Sequence, residues 1–251
     1  MTIEEMKKKK EEFGFSCERI SELSGVPIGT VQKIFGGITR KPRYETICQL
    51  GKAFPIEYIP NRKNVYTLEE FENISKEYAV ELIDGIIYKL ERTDIVYQQL
   101  IFEISIRIRE YIKLNEDEGM VLSAPVYVQL DKDEKTMICP AAVICCDKNK
   151  ILPSHIYGAP DMIIEMALPS TRKINIGLKL QKYINAGVRE YWIIDLEKKK
   201  IVVYYLEENG LPEIYDFVMK VPIKIFKGKC EIDFKEVYEC IKFLDAKNNY
   251  D

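Results

Sequence analysis

The sequence predicts an α+β protein in two parts, a small all-α helix-turn-helix domain over residues 1–60 and a mixed α/β domain over residues 66–250. Three observations carry this reading. Up to about residue 55 the apolar residues Ile20, Leu23, Val31, Ile34, Phe35, Ile47 and Leu50 recur at helical spacing, with no strand pattern among them. From Val65 onward helical runs alternate with short, nearly continuous apolar runs of strand type. One of those runs, DMIIEMAL, carries a glutamate, Glu165, on a strand that otherwise reads as largely buried.

Composition bounds the rest. Hydrophobic residues make up 47% and charged residues 31% of the 251, as in an ordinary soluble globular protein. No apolar run approaches the ~18 residues of a membrane span, and no apolar segment follows the lysines of MTIEEMKKKK, so a cytoplasmic protein without membrane partners is expected. The seven cysteines form no CxxC pair, which argues for buried thiols over zinc. A single histidine, His155, rules out most multi-histidine metal sites. The net charge of −3 divides into +2 over residues 1–60 and −5 beyond, so any attraction for nucleic acid is local.

In the first part Ser16 is placed to cap the helix CERISELS, and Gly25-Val26-Pro27 stops it. The helix PIGTVQKIF follows at once and ends at Gly36-Gly37; a third, YETICQLGKAF, comes after Pro42, and Pro55 to Pro60 form a linker. Two short helices joined by a tight glycine-containing turn are the helix-turn-helix signature. In such a unit the start of the second helix meets base edges. Thr30 suits a base or phosphate, Gln32 an adenine, and Lys33 a guanine or phosphate, while Arg40, Lys41 and Arg43 lie just beyond for backbone phosphates. A small bundle that binds protein instead has the same pattern. The stretch SCERISELSGVPIGTVQKIFGGITRKPRYETICQLGKAF resembles the Cro/C1-type (Xre-like) helix-turn-helix family over nearly the whole first domain.

In the second part a helix from Leu68 to Tyr78 precedes the strand-like run VELIDGIIYKL and the long helix VYQQLIFEISIRIREYIKL. Strands are expected at APVYVQL, MICPAAVICC and DMIIEMAL, then the helix INIGLKLQKYINAG, the hairpin REYWIID–LEKKK–IVVYYL, and a C-terminal strand and helix, FKEVYECIKFLDA. Ile176, Leu180, Tyr183 and Ile184 mark the buried face of the INIG helix, which Lys179 shares or borders. A lysine there can pair with Glu165, either as a structural ion pair or as part of a phosphodiester-cleaving site in which carboxylates hold Mg²⁺.

Several segments resemble the Uma-type restriction endonuclease family of the PD-(D/E)xK nuclease superfamily. They are VELIDGIIY (80–88), YQQL (97–100), GAPDMIIEMALPSTRK (158–173), KLQKY (179–183) and AGVREYWIID (186–195), within residues 67–206. The resemblance implies a restriction-endonuclease-like domain, DNA as substrate, and Mg²⁺ or Mn²⁺ as cofactor. It implies Glu165 as metal ligand, Lys179 as catalytic lysine, and Glu81 and Gln98 as accessory residues. The family places a Pro-Asp pair on the preceding strand, its aspartate being the main metal ligand; here Pro140-Ala141 stands there. It also tends to an acid where Asn175 stands and a histidine where Tyr97 stands. Asp161 cannot replace the missing ligand, being about 13 Å from Glu165 along the same strand.

The chain is therefore expected to be a metal-dependent DNA endonuclease with a helix-turn-helix domain, inactive as written at Ala141. The alternative is a DNA-binding transcriptional regulator whose nuclease-like domain is catalytically dead. An engineered exchange and a natural loss both account for Ala141, and the retained Glu165, Lys179 and Glu81 favour the first. A homodimer fits the two-fold targets that helix-turn-helix proteins often read.

Overall fold

The structure, a computed structural model, describes residues 3–39, 42–54, 65–130, 134–168, 175–208 and 210–248. Packing divides the chain into two compact units, Met1–Leu90 and Glu91–Asp251. The expected linker from Pro55 to Pro60 lies outside the described residues.

The first unit opens with four helices: α1 (Ile3–Glu12), α2 (Cys17–Ser24), α3 (Ile28–Phe35) and α4 (Tyr44–Lys52). Ser16 caps α2 as its position predicts, its hydroxyl accepting from the Arg19 amide at 3.1 Å. Gly25, with φ of 68°, ends α2 in the left-handed conformation and returns its N–H to the Ser21 carbonyl. Ile20, Val31, Ile34 and Leu50 turn inward with Met6, Phe13, Phe15 and Phe54 to form one small core. Leu23, Phe35 and Ile47 are half-buried at its margin.

Helix α5 (Leu68–Ser75) follows, with a capping box between Thr67 and Glu70. The single strand-like run expected at residues 80–90 is instead a hairpin, β1 (Val80–Ile83) and β2 (Ile86–Lys89), paired antiparallel. The reason lies at its centre. Asp84 and Gly85 both have positive φ, 51° and 77°, which is the tight Asp-Gly turn whose twist matches paired strands. By packing, α5 and this hairpin fall within the first unit.

The second unit is built on a six-stranded sheet in the order β10-β9-β8-β7-β5-β3. These strands are β3 (Met120–Ser123), β5 (Ala142–Cys145), β7 (Met162–Met166), β8 (Glu190–Asp195), β9 (Lys200–Tyr205) and β10 (Glu213–Asp216). All neighbours are antiparallel except β7 and β8, which are parallel and joined by helix α7 (Leu180–Ala186). Short pairs complete it: β4 (Val128–Gln129) with β6 (Ile156–Tyr157), and β11 (Lys220–Ile223) with β12 (Cys230–Asp233). No helix among the described residues is long and apolar enough to cross a membrane.

One face of the sheet, with Ile144, Ile164, Trp192, Ile194 and Val203, packs in a common core with helices α6 (Ile95–Leu114) and α8 (Phe234–Asn248). The opposite face carries α7, whose Tyr183 ring meets Tyr191 edge-on at 4.8 Å; Tyr191 in turn stacks on Tyr204 at 5.9 Å. Being covered on both sides, β7 reads as an almost unbroken apolar run.

Two differences from expectation have local causes. The runs APVYVQL and MICPAAVICC shrink to β4 and β5, because Pro125 and Pro140 have no N–H to give a ladder. The helix INIGLKLQKYINAG starts as a wide π turn, Asn175–Lys179, before α7 proper. Its buried face runs through Lys179 and Tyr183, leaving Ile176 and Ile184, expected to be buried, 47% and 45% exposed. The extra residue in the π turn changes the phase of the helix.

A buried carboxylate ties the sheet to its C-terminal segment. Glu190 on β8 accepts from the Trp192 indole N–H at 2.7 Å and from the Ile225 amide at 3.1 Å. Burial pushes its carboxyl up to about 7, against the opposing pull of those donors and of Lys224. A carboxyl raised in the folded state favours the fold most at low pH, and that contribution is lost as pH rises from about 4.5 through about 7. The stability of a Glu190→Gln variant relative to the parent is expected to improve by roughly 2–3 kcal/mol between pH 5 and pH 8. Urea unfolding of both chains across that range measures it, and a constant difference would contradict it.

Candidate functional site

Glu165 is the fourth residue of β7 and points to the α7 side of the sheet, where it is 6% exposed. A glutamate so placed must be paired or become neutral. The pairing comes from the segment that follows. Lys179, last residue of the π turn and 4% exposed, donates from Nζ to Glu165 Oε1 at 2.8 Å. Tyr183, one turn later on α7, donates its hydroxyl to the same oxygen, also at 2.8 Å. The π turn that displaces Ile176 outward is what sets Lys179 and Tyr183 on one inward line, four residues apart.

Position 141 lies just before β5, the strand next to β7. Strand β5 pairs with β7 in the register Ala142↔Ile164, Val143↔Ile163, Ile144↔Met162. Continued one step beyond the paired residues, that register would bring Ala141 level with Glu165. The ladder on the other side of β5 does continue that far, since the Ala124 amide donates to the Ala141 carbonyl at 2.9 Å, in step with Ser123↔Ala142. Directly opposed residues of antiparallel strands share a face, with Cβ atoms ~5 Å apart. Ala141 itself precedes β5, is half-buried, and offers only a methyl group.

Each of the remaining residues singled out from the sequence has its own setting. Asp161, half-buried at the head of β7, accepts from the Cys146 amide at 2.7 Å and pairs with Arg189 at 3.1 Å, a structural role. Gln98, exposed on the first turn of α6, donates to the Thr93 carbonyl at 3.1 Å rather than to Glu165 or Lys179. Glu81 is buried on β1 of the first unit, in register with Tyr88. Asn175 opens the π turn. Tyr97 is buried on α6, its hydroxyl pushed upward by burial and then by Glu197 and Asp195. In the first unit Thr30, Gln32 and Lys33 are exposed on α3 and Arg43 is exposed just before α4; Arg40 and Lys41 lie outside the described residues. Tyr183 is the residue whose role sequence reasoning missed. Its spacing from Lys179 was the available signal, but it read as core.

The family resemblance implies a divalent cation at Glu165. The residues present do not fit one. One oxygen of Glu165 already receives an ammonium and a phenol, and the residue just before β5 is alanine. Among the described residues no group of three His, Cys, Asp or Glu side chains is placed to hold a metal ion.

A protein-family profile described as "Uma2: Putative restriction endonuclease" matches residues 68–222, more than half of the sequence. The chain belongs to this family. Within the Uma2 match lie Glu165, Lys179, Tyr183 and position 141. The structure resembles that of a protein titled a "putative nuclease belonging to DUF820" from Anabaena variabilis ATCC 29413, with a TM-score of 0.57 at 18% identity, covering 70% of this chain and 98% of that one. At that identity the likeness is one of fold, and it supports the α+β, restriction-endonuclease-like class. No protein of curated function matches the chain.

The buried pair makes this Uma2 site costly to break by halves. Lys179→Met leaves Glu165 buried without its counter-charge and is expected to lower stability by roughly 3–5 kcal/mol. The double variant Lys179→Met/Glu165→Gln is expected to recover a substantial part of that loss. Denaturant unfolding decides it: additive losses would show that the two side chains are energetically independent.

Proposed function

We propose that this chain is a DNA endonuclease scaffold, built for metal-dependent phosphodiester hydrolysis, that lacks one of its two metal-binding carboxylates and so binds DNA without cutting it. The observation that supports this reading is the β5–β7 register, which, continued one step past Ala142↔Ile164, brings position 141 level with Glu165. An aspartate there would join Glu165 in offering a hard, all-oxygen site to Mg²⁺ or Mn²⁺ beside a buried lysine, the combination that phosphodiester cleavage uses. The Uma2 membership supports DNA as the substrate.

In this reading the first unit delivers the DNA. Helices α2 and α3, joined by the short turn from Gly25, act as a helix-turn-helix. Thr30, Gln32 and Lys33 face solvent on the second helix, where such a motif meets the major groove, and Arg43 takes a phosphate. A homodimer would present two such helices to a two-fold site.

A second reading, a DNA-binding regulator whose nuclease-like unit is only structural, is favoured by one feature. Lys179 and Tyr183 already satisfy Glu165 from within, so the cluster can stand as a core ion pair. Plasmid nicking with Mg²⁺ or Mn²⁺ separates the two. Ala141→Asp is expected to raise cleavage at least a hundredfold over the parent chain, and Glu165→Ala in that background to abolish the gain. An Ala141→Asp chain that leaves the plasmid intact with both metals leaves the regulator reading standing.

A further inference from the structure

Helix α3 contains a glycine that the fold does not require. Gly29 is the second residue of the helix and is exposed. Its φ does not fall in the left-handed range, and a Cβ built on it would meet nothing within 4 Å. Two other glycines of the same unit are held by the fold. Gly25 has φ of +68°, and a Cβ on Gly36 would come within 2.8 Å of the Gln32 carbonyl oxygen. At Gly29 neither conformation nor space excludes a side chain, while glycine is the poorest helix former after proline.

The surroundings indicate what keeps it bare. The inward residues of α3 are Val31 and Ile34, and its outward side presents Ile28, Thr30, Gln32 and Lys33. Ile28 is 39% exposed, an apolar side chain beside the bare backbone of Gly29 and flanked by hydrogen-bonding groups and a cation. Bare backbone beside an apolar side chain and hydrogen-bonding groups matches the edge of a base pair, where a thymine methyl lies beside acceptors and donors.

We infer that Gly29 is the point of closest approach between α3 and the major groove of duplex DNA, held as glycine for the partner rather than for the fold. This rests on the DNA-binding reading of the first unit and adds to it a contact residue whose change separates binding from folding. The full chain selects duplexes from a random-sequence library, and a fluorescein-labelled selected duplex then reports affinity by anisotropy. Gly29→Ala and Gly29→Gln, both better helix formers, are compared with Lys33→Ala, and each melting temperature is recorded. Both Gly29 variants are expected to melt no lower than the parent, within ~2 °C or above it, and to bind at least about tenfold more weakly. Affinity within twofold of the parent would overturn the inference, and so would a fall of several degrees in melting temperature, which would assign the glycine to the fold. If Lys33→Ala loses affinity and the Gly29 variants do not, this inference alone fails. If no duplex is selected, it fails together with the DNA-binding reading.

Discussion

The second unit is organised around a buried ion pair. A carboxylate inside a sheet covered on both faces is tolerable only with a cation and hydrogen bonds at hand, and Glu165 is such a residue. Lys179 supplies the cation and Tyr183 the extra hydrogen bond, both on Oε1. That requirement extends outward. It fixes the phase of the π turn and α7, and the Tyr183 ring seats that helix on Tyr191 and Tyr204. The parallel β7–β8 pairing follows from the same connection, because a strand–helix–strand crossover is what carries Lys179 back over the strand that bears Glu165.

Much of this was legible in the sequence. A glutamate inside DMIIEMAL is conspicuous because its neighbours are apolar on both faces, and Lys179 was recognisable as a partner on the helix that follows. Ser16, Gly25 and Gly36 punctuated the first helices where the structure has them. The rest required three dimensions. The β5–β7 register, which continued one step brings residue 141 level with Glu165, depends on hydrogen bonds between segments distant in sequence. The buried line of α7 was displaced by a π turn, for which apolar spacing gives no warning. Strand β3 went unseen because MVLS is short, half-exposed and lies at the sheet edge. The hairpin at residues 80–89 was read as one strand although its Asp84-Gly85 pair is a strong turn signal.

The two units answer to different constraints. In the first, helix ends and a small aromatic core fix α2 and α3, and the outward residues of α3 are left free of any duty to the fold. In the second, the residues that matter most are the least exposed. In the proposed reading, chemistry depends on one position of the second unit and affinity for DNA on the surface of the first. Loss of one carboxylate can then silence chemistry without disturbing recognition.

The most direct test of this account is calorimetric titration of Mn²⁺ into the metal-free chain and into its Ala141→Asp form. With one carboxylate engaged by Lys179 and Tyr183, the parent chain is expected to show no saturable binding at Glu165, whereas the aspartate form is expected to bind with a stoichiometry near one per chain. Saturable binding to the parent chain that disappears on Glu165→Gln would contradict it, because Glu165 would then hold a metal ion without a partner at position 141.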